Sequence, residues 1–181
     1  MPTLRRSALF TPADDPGMMR TATESPADAL IFDLEDAVPA DHLPEARENL
    51  RRIVTDIGDD VEAGVRINAV GTDMWLDDVR AAVAAGVDAV LVPKVKSPAE
   101  LSAVTDALAA STDTPPAVRF AIETPTGLLD ASAIGARAAS LPPVTGISFG
   151  LADYCRALGA PGPTESIRDR LAFRIGSVAA A

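Results

Sequence analysis

The chain has 181 residues, of which 48% are hydrophobic, and a formal net charge of −10, enough apolar length for one sizeable core and too acidic a balance for a general binder of nucleic-acid backbone. Its one cysteine, Cys155, excludes an internal disulfide, and its one histidine, His42, argues against both a His/Cys zinc site and a Ser-His-Asp triad. No segment carries the ~18 consecutive apolar residues of a membrane span, and no apolar signal region follows the paired arginines near the start, so a cytoplasmic protein without membrane partners is expected.

In chain order, short apolar runs alternate with helical patterns. A strand is expected at Ser7–Phe10, then a helix over Gly17–Thr23, a strand at Ala29–Asp33, a helix over Pro44–Thr55, and a strand at Val61–Ile67. A helix over Thr72–Ala85 follows, then a strand at Ala89–Val92, a helix over Pro98–Ala110 entered through Ser97 and Pro98, and a strand at Val118–Ile122. A helix over Gly127–Ser140, a strand at Gly146–Phe149 and a helix over Thr164–Ala180 complete the series. Alternation this regular implies a parallel sheet covered by helices. The G-x-G-x-x-G fingerprint of a dinucleotide fold is absent; Thr11-Pro12-Ala13-Asp14-Asp15-Pro16 stands after the first strand instead. A TIM (β/α)8-type barrel fits better than an open doubly wound sheet, because polar residues gather where strands end: Asp33, Glu35 and Asp36; Arg66 and Asn68; Lys94; Glu123; and Asp153. A full barrel needs eight strands over ~250 residues. Six βα units predict a single barrel domain over residues 1–181, C-terminally truncated, with open edges on its first and last strands. The acid doublets Asp14-Asp15, Asp59-Asp60 and Asp77-Asp78, with Lys94 and Lys96 the only lysines, suit a salt-adapted or GC-rich source.

The strand ends carry the chemistry. Glu123 follows Phe120-Ala121-Ile122 and precedes Thr124-Pro125, so a residue that cannot donate to the ladder stops the strand just after the acid. Thirty positions on, Asp153 follows Phe149-Gly150-Leu151-Ala152. Two carboxylates converging at the mouth of a parallel sheet suit a hard divalent cation, which takes oxygen ligands. Taken singly, each acid could instead cap a helix, and Glu123 could pair with Arg119 or Arg137. Arg66 interrupts an apolar strand, and its planar fork fits a carboxylate, a phosphate or a developing oxyanion. Asp33, Glu35 and Asp36 crowd three acids together and should raise one another's pKa, which suits a general base or a group bound to metal waters; a solvated loop is the bland alternative. Lys94 could meet a substrate carboxylate or a cofactor phosphate. Met18, Met74 and Trp75 read as packing, and Cys155 as a small buried neighbour of the Asp153 acid.

Together, Arg6-Ser7-Ala8-Leu9-Phe10-Thr11-Pro12, Phe32-Asp33-Leu34-Glu35-Asp36-Ala37-Val38, Arg66-Ile67-Asn68, Val92-Pro93-Lys94-Val95, Ile122-Glu123-Thr124-Pro125 and Gly150-Leu151-Ala152-Asp153-Tyr154 resemble the HpcH/HpaI aldolase and citrate lyase β-subunit family, in particular its CitE-like CoA-ester lyases. The resemblance implies a TIM barrel of the phosphoenolpyruvate-binding type, trimeric or hexameric, that uses Mg²⁺, with Mn²⁺ as a substitute, to cleave or form a C–C bond in a malyl-CoA, citramalyl-CoA or citryl-CoA type thioester. The products would be a 2-oxo acid and an acyl-CoA. It makes Glu123 and Asp153 the metal ligands and gives Arg66 the substrate and the thioester enolate. Glu35 and Asp36 would hold metal-bound water or substrate, Arg6 and Lys94 would lie near the CoA moiety, and Asn68 would stand beside the substrate. Ala13 and Asp14 replace the glycine usual in the first loop. The alternatives are an aldolase acting on free hydroxy-oxo acids and a truncated non-catalytic paralogue or subunit.

Overall fold

In the computed structural model, residues 5–58 and 60–160 are described; the helix expected over Thr164–Ala180 lies outside them. Six strands, β1 (Ala8–Pro12), β2 (Ala29–Asp33), β3 (Glu62–Arg66), β4 (Ala89–Val92), β5 (Ala117–Ile122) and β6 (Val144–Phe149), form one parallel sheet in sequence order. Between them run α1 (Pro16–Thr23), α2 (Leu43–Ile53), α3 (Trp75–Ala85), α4 (Pro98–Ser111), α5 (Pro125–Leu129) and α6 (Ala131–Ala139), and α7 (Leu151–Ala157) follows β6. The architecture is that of a TIM-type barrel with six βα units, β1 and β6 forming the two sheet edges.

Strand alternation sorts the side chains into two layers. Leu30 and Phe32, Val65 and Ile67, Val90 and Val92, and Phe120 and Ile122 form the buried layer that meets the helices. The helices answer at helical spacing, with Leu43, Ala46, Leu50 and Ile53 on α2 and Leu101, Val104 and Leu108 on α4. The opposite strand positions mix small and polar residues with Phe10, Ile31 and Leu91, and the sheet curls so that Ala8 and Phe10 of β1 share a cavity of about 240 Å³ with Gly146, Ile147 and Ser148 of β6. Phe10 and Leu9, on the open edge, are 49% and 39% exposed.

Within the described residues the expected elements hold, with local shifts. The single helix expected over Gly127–Ser140 is two, because Thr124 caps a short first helix through Gly127 N (3.0 Å) and the chain breaks at Asp130. Gly127 permits this: an added Cβ would stand 2.2 Å from the Val95 carbonyl oxygen. Thr72–Met74 is not helical, α3 beginning at Trp75. No helix is expected directly after the last strand, yet Leu151–Ala157 form α7. Met18 is not packed but 51% exposed. The first loop forms without glycine: Ala13 is fully buried, donates to the Asp33 carbonyl (3.0 Å) and accepts from Asn49 Nδ2 (3.0 Å), while Asp15 caps α1.

The doublet Asp77-Asp78 divides between surface and core. Asp77 pairs with exposed Arg80, whereas Asp78 is fully buried and accepts from Arg47 Nε (2.8 Å), Asn68 N (2.7 Å) and Asn68 Nδ2 (2.8 Å). Removing one partner of such a network strands the others in a dry environment. Asp78→Ala is therefore expected to lower stability by about 3–5 kcal/mol, and Asp77→Ala by no more than about 0.5 kcal/mol, in urea denaturation; equal effects would contradict the burial assignment.

Candidate active site

Parallel register brings the strand ends to one rim. Asp33 closes β2 and Arg66 closes β3, and the two are paired in the ladder. Arg66 Nε donates to Asp33 Oδ1 (2.7 Å) and Arg66 Nη2 to Asp33 Oδ2 (2.5 Å), a bidentate grip on a buried carboxylate. The same oxygens accept the amides of Glu35 (3.0 Å) and Ala37 (3.1 Å), so Asp33 also shapes the loop that presents the next two acids. Burial works against the Arg66 charge, but Asp33 outweighs it and holds the guanidinium pKa above its ordinary value. Phe10 stacks below at 5.4 Å. With one edge of the fork gripped, Nη1 has no hydrogen-bond partner among the described residues, and Arg66 borders a cavity of about 340 Å³ with Phe10, Thr11, Pro12, Asp33 and Ala37.

The acids read as one crowd behave as three different groups. Glu35 is buried, and desolvation, opposed by Lys94, raises its pKa to about 6; repulsion from Asp36 is a lesser cause. Asp36 goes the other way: burial disfavours its charge, but Lys94, Arg66 and Arg156 outweigh burial and bring its pKa down. Lys94 Nζ lies 2.7 Å from Glu35 Oε1 and 2.9 Å from Asp36 Oδ1. Its ammonium is thus the counter-ion of the acid pair rather than a free cation awaiting substrate. Glu35 Oε2, 3.6 Å from Arg66 Nε, is buried without a hydrogen bond among the described residues.

Glu123 ends at the same rim, 5% exposed. Burial raises its pKa, the nearby Asp153 charge adds to the effect, and the Lys94 amide, donating to Oε1 at 2.8 Å, opposes it. Thr124, not Glu123, caps the following helix, Arg119 pairs with Glu62, and Arg137 meets Ser102, so none of the bland partners takes Glu123. Gly150 allows the approach of β6: an added Cβ would lie 2.0 Å from Glu123 Oε2. Asp153 stands in the first turn of α7, where Gly150 holds the cap position, and pairs with Arg156. A buried carboxylate with one amide donor and a second acid near enough to repel it is the donor chemistry of a hard divalent cation, with water and substrate oxygens filling the remaining positions. No group of three or more His, Cys, Asp or Glu placed to hold a metal occurs among the described residues. Glu123 and Asp153 are the residues that would hold the cation.

Two expected site residues are placed differently. Arg6 precedes β1, so in a parallel sheet it lies at the opposite, amino-terminal end, where its N and Nη2 each donate to Asp28 at 2.7 Å. Asn68 is at the rim, but its Nδ2 donates to Leu34 O (2.7 Å) and Asp78 Oδ2 (2.8 Å); it fastens the β2 and β3 loops and lines a cavity of about 350 Å³ with Glu35, Asp36 and Lys94. Asp78 and Gly150 are the site-forming residues that sequence reasoning left without a role, and Asp33, read with Glu35 and Asp36 as one acidic crowd, is instead the partner of Arg66.

Fold and rim together define a (β/α) barrel protein whose carboxyl-terminal mouth joins a clamped guanidinium to a pair of carboxylates. The model of the HpcH/HpaI aldolase/citrate lyase family matches residues 6–174, and the chain belongs to that family. A (3S)-malyl-CoA thioesterase of Cereibacter sphaeroides is 36% identical over 174 residues, covering 94% of this chain and 56% of the relative. An L-malyl-CoA/beta-methylmalyl-CoA lyase of Rhodobacter capsulatus is 31% identical over 166 residues, covering 86% and 51%. The chain spans about half the length of these curated relatives. The crystal structure of protein CitE from Mycobacterium tuberculosis in complex with magnesium, acetoacetate and coenzyme A superposes with a TM-score of 0.74 at 28% identity, covering 98% of this chain and 63% of that one.

Because the Glu35 pKa lies above its ordinary 4.5 in the folded chain, the native state binds more protons than the unfolded state between about pH 4.5 and 6. Stability should fall as pH rises through that window, by up to about 2 kcal/mol. Relative to Glu35→Gln, which lacks the titration, the wild-type chain should lose that amount between pH 4.5 and 7 in chemical denaturation. A constant difference would mean that burial does not perturb Glu35.

Proposed function

We propose that this chain carries the reacting site of a Mg²⁺-dependent CoA-ester lyase, with Mn²⁺ as a substitute metal. It would cleave or form a C–C bond in a malyl-, citramalyl- or citryl-type thioester and yield a 2-oxo acid and an acyl-CoA. The observation that carries the reading is the Arg66 fork, gripped on one edge by Asp33 at the rim where buried Glu123 feels the charge of Asp153. The names of the relatives and the ligands of the CitE crystal structure agree with it.

Glu123 and Asp153 would hold the metal, which when bound supplies a Lewis acid for the carboxylate and adjacent oxygen of the acid portion. Arg66 presents its ungripped edge to the thioester oxygen, where negative charge develops as the C–C bond breaks and its electrons pass into the enolate. Asp33 and Phe10 fix that guanidinium beforehand, so little reorganisation accompanies the charge shift. Glu35, with a pKa of about 6 and one unpartnered oxygen, is suited to accept the proton of the substrate hydroxyl. Lys94, which also pairs with Asp36, keeps this acid in place. We further place the reaction in the cytoplasm, in a homo-oligomer that engages neither nucleic acid nor membrane. No helix among the described residues is long and apolar enough to cross a membrane.

A second reading follows from the relative named a thioesterase: hydrolysis of the same thioester, which would release CoA without a 2-oxo acid. One assay separates the two. The purified chain, given Mg²⁺ and each of the three thioesters, is expected to release a 2-oxo acid, trapped as its phenylhydrazone. Glu123→Gln should lower that rate by about 10²-fold or more, the scale of a lost Lewis-acid contribution of several kcal/mol. Free thiol without a 2-oxo acid would establish the hydrolase instead. A Glu123→Gln variant with full Mg²⁺ response would refute the metal assignment.

A further inference from the structure

Lys94 is the sole non-glycine residue with positive φ among the described residues, at φ 53°. A lysine gains nothing locally from the left-handed conformation, which is costly for a side chain bearing Cβ, so the surroundings must impose it. Its geometric consequence is specific. In an extended strand successive amides point to opposite sides. Here the amides of Lys94 and Val95 both turn toward β5: Lys94 N donates to Glu123 Oε1 (2.8 Å) and Val95 N to the Ala121 carbonyl (3.1 Å). Two further contacts pin the bend. Gly127 lets α5 close over the Val95 carbonyl, and Gly150 closes against Glu123 Oε2 from the other side. Meanwhile the Lys94 side chain leaves in the third direction, to Glu35 and Asp36 on the β2 loop.

We infer that Lys94 is a positioning residue with two separable parts: its left-handed backbone aims the amide that fixes Glu123 for the cation, and its ammonium holds Glu35 and Asp36. The inference rests on the metal reading above. It assigns metal affinity to the backbone of a residue whose charge would ordinarily be taken as its function.

Three substitutions separate the parts. Glycine adopts the left-handed conformation freely and methionine keeps the stem without the charge, whereas a β-branched valine is strongly disfavoured there. Mn²⁺ affinity, measured by electron paramagnetic resonance on the substrate-free chain, is expected to stay within about 3-fold of wild type in Lys94→Gly and Lys94→Met and to weaken at least 10-fold in Lys94→Val. Lyase turnover should fall in all three, because each lacks the ammonium. A 10-fold loss of Mn²⁺ affinity in the glycine and methionine variants would overturn the inference in favour of a charge effect, and it decides the matter even if Lys94→Val does not fold. Wild-type affinity in a folded valine variant would overturn it equally. Absence of Mn²⁺ binding by the wild-type chain would remove the metal reading itself, and this inference with it.

Discussion

The bidentate pair between Asp33 and Arg66 is the interaction on which the rim depends. It ties the ends of β2 and β3 at matched register, and because the same carboxylate accepts the amides of Glu35 and Ala37, it also folds the loop that follows β2. That loop delivers Glu35 and Asp36 to Lys94, and the backbone of Lys94 reaches Glu123, just past the end of β5. A single network of charge-assisted contacts thus spans four strands of the sheet. Apart from exposed Asp36, each member is partly or wholly buried and compensated by the next, the condition under which ionised groups persist in a low-dielectric setting.

The two ends of the sheet use charge differently. At the amino-terminal end Arg6 grips Asp28, and Glu62 lies between Arg5 and Arg119. At the carboxyl-terminal rim the pairing leaves remainders: the ungripped edge of Arg66, the unpartnered Glu35 Oε2, and Glu123 feeling the charge of a second acid. Those remainders are what a small anionic substrate and a cation would complete, and their location at the strand carboxyl ends is where barrel enzymes place their chemistry.

Much of this was legible in the sequence. The strand-helix alternation is strong because most strands are short apolar runs and several helices carry entry signals, as Ser97-Pro98 does for α4. The placement of Glu123 at a strand end was legible because Thr124-Pro125 stop the strand just after it. What escaped was pairing, which arises only when distant strand ends meet. Asp33 differs little in sequence from Glu35 and Asp36, yet register alone makes it the partner of Arg66. Asp77 and Asp78 are identical side chains separated only by which face of α3 they occupy. The displacement of Arg6 was readable in principle, since a residue preceding a parallel strand cannot share the rim with residues that follow one. The break at Asp130 and the helix after Gly150 were hidden because short helices carry little periodicity.

The account turns on whether Glu123 and Asp153 share a divalent cation. Crystals of the chain equilibrated with Mn²⁺ and measured at a wavelength where manganese scatters anomalously test this directly. A single strong peak about 2–2.5 Å from an oxygen of each carboxylate is the predicted result. A peak elsewhere, or none at that rim, would contradict it.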